Sequence, residues 1–148
     1  MAVATYTSST FTNNPPKQRV YGTTWQRGKM VYSGTLSDIL FLCKVPHGAK
    51  IVDFMEYHSN GETAAVFNFG FDRGIADGGA GNASCLITAA AVATMNRMSF
   101  ATAANAVPTE ISLSDTDPVR YAILQAKAVS GTFTISVSLT WAISYTMD

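Results

Sequence analysis

Ionic side chains are scarce in this chain. Only 14% of its 148 residues are charged, ten basic against ten acidic, for a formal net charge of zero, where a typical soluble domain carries about 25%. A neutral chain releases few counterions on meeting phosphate, so nucleic-acid binding by bulk electrostatics is disfavoured. Little charge repulsion opposes self-association. No apolar run reaches the roughly eighteen residues of a membrane span, and the opening MAVATYTSSTFTNNPP has neither a basic n-region nor an apolar core. The expectation is a chain that folds in cytosol, with neither nucleic acid nor membrane as a direct partner and with Cys43 and Cys85 as thiols. Cys43, inside ILFLCKV, reads as a small buried hydrophobe.

Catalytic and metal-binding patterns are missing as well. Gly-x-Ser-x-Gly, His-Glu-x-x-His and Cys-x-x-Cys do not occur, and the two histidines, His47 and His58, fall in expected turns. GTTWQRGKM at 22–30 has the outline of a phosphate loop, but five residues separate its glycines and Met30 replaces the magnesium-binding hydroxyl. Asp115 and Asp117 in LSDTDP could approach Asp72 or Asp77 and collect calcium; two acids before a proline are more commonly turn formers. No enzyme, metal or cofactor is expected.

What the sequence does contain is a succession of short apolar runs broken by turn residues, the spacing of an all-β sandwich or barrel. Candidate strands cover 19–23, 29–35, 39–45, 50–58, 64–71, 110–113, 119–126 and 132–145. About eight strands suit a jelly-roll-like antiparallel β-sandwich, one domain over 18–148 that can hide roughly 70% of its unfolded surface. VPHGAK at 45–50 and HSNGET at 58–63 supply turn residues, the second flanking an expected hairpin. Gly74, Gly78, Gly79 and Gly81 make 72–84 a long, mobile connection. The alanine-rich stretch 85–106 is open between helix and strand.

Residues 1–17 have neither apolar period nor any charge before Lys17, and read as an extended arm, either disordered in isolation or ordered by lying on a neighbour, with Tyr6 and Phe11 as its anchors. Lys17, Arg19, Arg27 and Lys29 form the one local charge bias, which fits a solvated edge guarded against strand pairing or a contact to an acidic partner. The last strand, TFTISVSLTWAISY, alternates large apolar residues with Thr, Ser and Ala. A face turned to bulk water would normally carry Lys or Glu. Thr134, Ser136, Ser138 and Thr140 are therefore expected to pack against another copy or a second sheet, since small hydroxyl residues let sheets approach closely.

The succession LFLCKVPHGAKIVDFMEYHS, ETAAVFNFGFD, a glycine-rich loop and TEISLSDTDPVRYAILQAKAVSGTFTISVSLTWAISY resembles the small auxiliary head proteins of tailed bacteriophages. The likeness lies in the Val45–Lys50 turn entering a strand at Ile51 and Val52, in the aromatic-Gly-aromatic-Asp stretch at Phe69 to Asp72, and in a long closing strand ending at Tyr145. It spans 36–145, with 85–106 departing from the shorter versions of the group. The resemblance implies a decoration or cement protein of jelly-roll-like fold, a homotrimer on the capsid surface of the virion, assembled in the host cytoplasm with the major capsid protein and itself as partners. A head-tail connector, a head fibre base, or a receptor- or glycan-binding module using Trp25 and Tyr57 on loops are the alternatives.

Overall fold

Among the described residues, every strand but the one at Ala80–Ala90 has a partner far away in the chain. The computed structural model describes residues 4–11, 23–59, 65–75, 80–90, 92–98, 110–131 and 133–147, and among these residues there are nine strands and no helix. The strands are β1 (Thr5–Thr7), β2 (Thr24–Gly34), β3 (Ile39–Pro46), β4 (Lys50–His58), β5 (Val66–Arg73), β6 (Ala80–Ala90), β7 (Asn96–Arg97), β8 (Tyr121–Ser130) and β9 (Phe133–Thr146). β2 pairs with β9, β3 with β8, β4 with β7 and β5 with β6, all antiparallel, like one long hairpin whose first and last strands are partners. Rolling it up sets β9 beside β4 and β8 beside β5, which yields one sheet ordered β2-β9-β4-β7 and a second containing β3-β8-β5-β6. This nested order is a jelly roll. β1 joins the second sheet as a fifth strand, parallel to β3.

Period-two patterning builds the core. Val137, Leu139, Trp141, Ile143 and Tyr145 of β9 all point inward and are buried. Phe67, Phe69 and Phe71 of β5 face them from the other sheet, with the small Ala128 and Ala126 of β8 beside Phe67 and Phe69. Large rings beside small residues fill the layer without overpacking; Phe54 meets Phe69 at 5.2 Å and Tyr32 meets Phe67 at 6.1 Å between ring centroids. Truncating one of these rings to alanine costs about 3–5 kcal/mol.

Four expectations need correction. β2 begins at Thr24 rather than 29: its inward positions include Gln26 and Gly28, which hide the apolar period, while Gln26 Nε2 satisfies itself on the Lys44 carbonyl at 2.7 Å and Tyr145 Oη at 3.0 Å. Of the candidate strand 19–23, residues 19–22 lie outside the described residues. Residues 110–113 make one bridge, Lys50 to Glu110, and then spend their backbone bonds on a turn and loop ends, with Ile111 bonded to Ala49 and Gly48, and Ser112 to Gly74. No hairpin joins β4 to β5, because the two strands belong to different sheets. Finally, 80–84 is strand, not mobile connection: a Cβ on Gly81 would lie 2.1 Å from the Asp72 carbonyl oxygen, so glycine is there for close approach to β5. Residues 85–90 take the strand alternative, and 99–109 lie outside the described residues.

The start of the arm is extended but lies on its own sandwich rather than on a neighbour. β1 covers the edge of β3, which otherwise offers unpaired backbone groups. Tyr6 stands edge-on to Tyr32 at 5.0 Å, Phe11 meets Phe41 at 5.3 Å with the rings tilted by 40°, and Lys44 sits over the rings of Phe11 and Tyr121 at 5.2 and 4.9 Å. Buried Asp38 fastens the beginning of the arm, accepting from the Ala4 and Thr35 amides and from Tyr32 Oη. Burial alone would raise its pKa; those donors outweigh burial and hold it below the usual carboxylate value.

Two measurements follow. Gly81→Ala should lower stability by about 1–3 kcal/mol through overpacking, read as a drop in melting temperature; an unchanged melt contradicts the close approach. Asp38→Ala should accelerate amide exchange at Ala4 and Ile39 more than at the core of β9. Because the folded carboxyl is depressed, its contribution is present above about pH 4 and lost as pH falls, so the wild-type arm should open in acid.

Candidate functional site

The outward face of the β2-β9-β4-β7 sheet is where the sequence placed its unexplained hydroxyl residues. Pairing register lays it out in rows across β2, β9 and β4: Trp25, Ser144 and Asp53; Arg27, Ala142 and Met55; Lys29, Thr140 and Tyr57. Val31 opposite Ser138 completes it. The middle strand contributes only small side chains, so β9 is the floor of a shallow trough whose walls are β2 and β4, about 10 Å apart. Trp25, Val31 and Tyr57 are 51%, 64% and 41% exposed, well above what large apolar side chains ordinarily leave uncovered.

Charge on this face is one-sided. Arg97 of β7 grips Asp53 through two bonds, Nε to Oδ1 at 3.0 Å and the second terminal nitrogen to Oδ2 at 2.5 Å, leaving that pair neutral. Arg27 and Lys29 take part in none of the ion pairs among the described residues. Among the described residues, Ser144 Oγ on the trough floor and Trp141 Nε1 beneath it are buried with no hydrogen-bond partner, each an expense of about 1–3 kcal/mol that packing must offset.

The fold thus brings together Arg27, Lys29, Ser136, Ser138 and Thr140, five of the residues expected at an interface. The side chain of Thr134 and all of Lys17 and Arg19 lie outside the described residues, and Tyr6 and Phe11 are occupied by intramolecular contacts with Tyr32 and Phe41. Trp25 and Tyr57, expected on loops, stand on strands β2 and β4 on this same face. Val31, Met55 and the Asp53–Arg97 pair were not foreseen. Val31 had a signal, being one more step of the Trp25, Arg27, Lys29 alternation; the others depend on which strands become neighbours.

Elsewhere, acids and histidines are structural. Asp72 and Asp117 do approach one another, but around Arg73, whose nitrogens reach them at 3.0 and 3.3 Å in the place a cation would take; Asp77 lies outside the described residues. Among the described residues no cluster of three or more His, Cys, Asp or Glu side chains is arranged for a metal. His47 Nδ1 accepts from the Leu113 amide at 3.0 Å. His58 is not in a solvated turn: it ends β4, fully buried, with Nδ1 2.8 Å from Glu56 Oε2 and Nε2 2.8 Å from the Ala65 carbonyl. Both ring nitrogens lie within hydrogen-bond distance of oxygens, an arrangement that the doubly protonated imidazolium satisfies beside an ionised Glu56. Asn96 of β7 donates to the other Glu56 oxygen, so the pair ties β4 to β7 and to the entry of β5.

The sequence matches no family model and no curated protein. Among solved structures, a chain in the capsid of Ralstonia phage GP4 superposes with a TM-score of 0.71 at 13% identity, covering 98% of this chain and 99% of that one. A chain in the cyanophage Pam1 capsid asymmetric unit superposes with a TM-score of 0.59, also at 13% identity, covering 93% and 96%. At such identity the likeness is one of fold.

The His58–Glu56 contact generates a pH dependence. Burial by itself would lower the imidazole pKa; the bonds to Glu56 and Ala65 override it and raise the value above 6.5. A raised folded pKa gives stability that is full below the unfolded value of about 6.5 and is lost as pH rises through the folded one. The melting temperature should therefore fall as pH climbs above neutrality. His58→Gln should flatten that limb and, by stranding Glu56, cost on the order of 3–5 kcal/mol near pH 6; an equally steep limb in the variant would show that another group is responsible.

Proposed function

We propose that this protein is a structural component of a tailed-phage virion, a decoration or cement protein that binds the outside of the capsid and bridges neighbouring capsid subunits. The observation that carries the reading is the extent of the fold likeness to the GP4 capsid chain, 98% of one chain on 99% of the other. The Val45–Lys50 turn, the Phe69–Asp72 stretch and the long closing strand support it from the sequence side, and an exterior with few ionic groups suits a surface destined to be covered.

The role is mechanical. Each copy meets the shell through a modest contact, and copies linked as trimers raise one another's effective concentration, so that rupture requires several contacts to fail together. The arm is suited to the link. β1 pairs with β3 within one chain, and the same bonds made on the β3 edge of a neighbouring copy would join the two at little cost in enthalpy. Internal pressure from the packaged genome is the load such a clamp resists.

A glycan-binding module is the second reading, favoured by Trp25 and Tyr57 exposed on one face; a glycan array separates the two. Counting copies separates cement, at hundreds per particle, from a head-tail connector or fibre base, at about a dozen. Deleting residues 1–17 should leave the sandwich folded by circular dichroism yet lower the temperature at which decorated particles burst. Particles of unchanged thermal stability would remove the arm from the mechanism.

A further inference from the structure

The trough on the outer sheet face has a composition that selects among occupants. Along β2, alternate outward residues run Trp25, Arg27, Lys29, Val31: two cations framed by two large exposed apolar side chains. An edge strand needs only the cations to repel a neighbouring strand, and exposed apolar residues at both ends work against that purpose. Flanking apolar contacts around a charged centre are what a protein-binding patch requires. Of the described acids on this sheet, Asp53 is held by Arg97 and Glu56 is turned inward to His58, so among the described residues no carboxylate of the face pairs with Arg27 or Lys29.

We propose that this face docks an acidic surface of a partner protein, one that presents carboxylates to Arg27 and Lys29 and apolar side chains to Trp25, Val31 and Tyr57, over the Ser138–Thr140–Ala142 floor. A second copy of this chain meeting it face to face is the wrong occupant, since two-fold pairing would bring Arg27 and Lys29 against their own counterparts. Nucleic acid fits poorly: two cations neutralise only about two phosphates. From Trp25 to Val31 the patch runs about 20 Å and across β2 to β4 about 10–15 Å, a footprint of about 300 Å² against the 800 Å² or so of a stable standard interface. A single copy therefore holds weakly, and firm attachment demands many copies or a second contact. The inference deepens the capsid reading by naming which face meets the shell, and it rests on that reading for the identity of the partner.

Full-length protein should be sedimented with phage shells lacking it, at rising salt, using wild type, Arg27→Gln/Lys29→Gln and Arg27→Glu/Lys29→Glu. Both pairs sit on solvent-facing positions, and unchanged melting curves will certify their folding. Neutralisation should lower occupancy and flatten the salt dependence; reversal should lower occupancy by about tenfold or more. Reversal variants that decorate shells as well as wild type, with the same salt slope, overturn the docking face and leave the capsid reading standing. Wild type that fails to bind shells sinks the capsid reading instead, and the face is then decided by amide shifts on adding a short peptide of alternating glutamate and valine. Shifts confined to β2, β9 and β4 support the proposal; no shifts, shifts elsewhere, or equal shifts with duplex DNA overturn it.

Discussion

β9 is hydrogen-bonded along both edges, to β2 on one side and β4 on the other. That double pairing decides two surfaces at once. Its large residues are committed to the interior, where they meet the phenylalanines of β5, and its small residues become the floor of a trough walled by the side chains of β2 and β4. A central strand needs no charged residues to ward off a neighbour, because both of its edges are already taken. The hydroxyl face of this strand, odd as sequence, is thus the natural surface of a strand with company on either side, and the ionic side chains stand on its neighbours.

Much of the architecture was legible from period and punctuation. β3, β4, β5, β8 and β9 lie close to where alternating apolar runs and turn residues put them, and the jelly-roll class follows from the same spacing, although β6 and β7 fall outside the candidate strands and 110–113 is not a strand. The losses share one cause, namely partners supplied by distant chain. Gln26 and Gly28 look like interruptions until Tyr145 and Trp141 are placed beside them, and Gly81 looks like slack until the Asp72 backbone is brought within contact. His58, read as a solvated turn residue, is fixed by a carboxylate two residues away on its own strand; the i, i+2 spacing of Glu56 and His58 on an inward face was the signal that could have been used. The candidate face was half legible: Arg27, Lys29, Ser136, Ser138 and Thr140 came from the chain, whereas Met55 and Arg97 required the strand order.

Two buried ionic devices sit at the borders of the roll rather than in its centre. Asp38 gathers the first described residues onto the β2–β3 turn, and the Glu56–His58 pair gathers β7 onto β4. Both fasten short elements that bury little apolar area, β1 of three residues and β7 of two. Hydrophobic burial holds the middle of the sandwich, and charge-assisted hydrogen bonds hold what burial alone would leave fraying.

The nested pairing also sets an order of events. During vectorial synthesis β2 emerges among the earliest strands, yet its partner β9 is the latest of those described, so the four-stranded sheet has no middle until that ribbon arrives. Until then the facing borders of β2 and β4 stay unpaired, whereas β3, β8, β5 and β6 can pair with one another without it. A chain that ends short of β9 therefore leaves the facing edges of β2 and β4 unpaired and open to proteolysis.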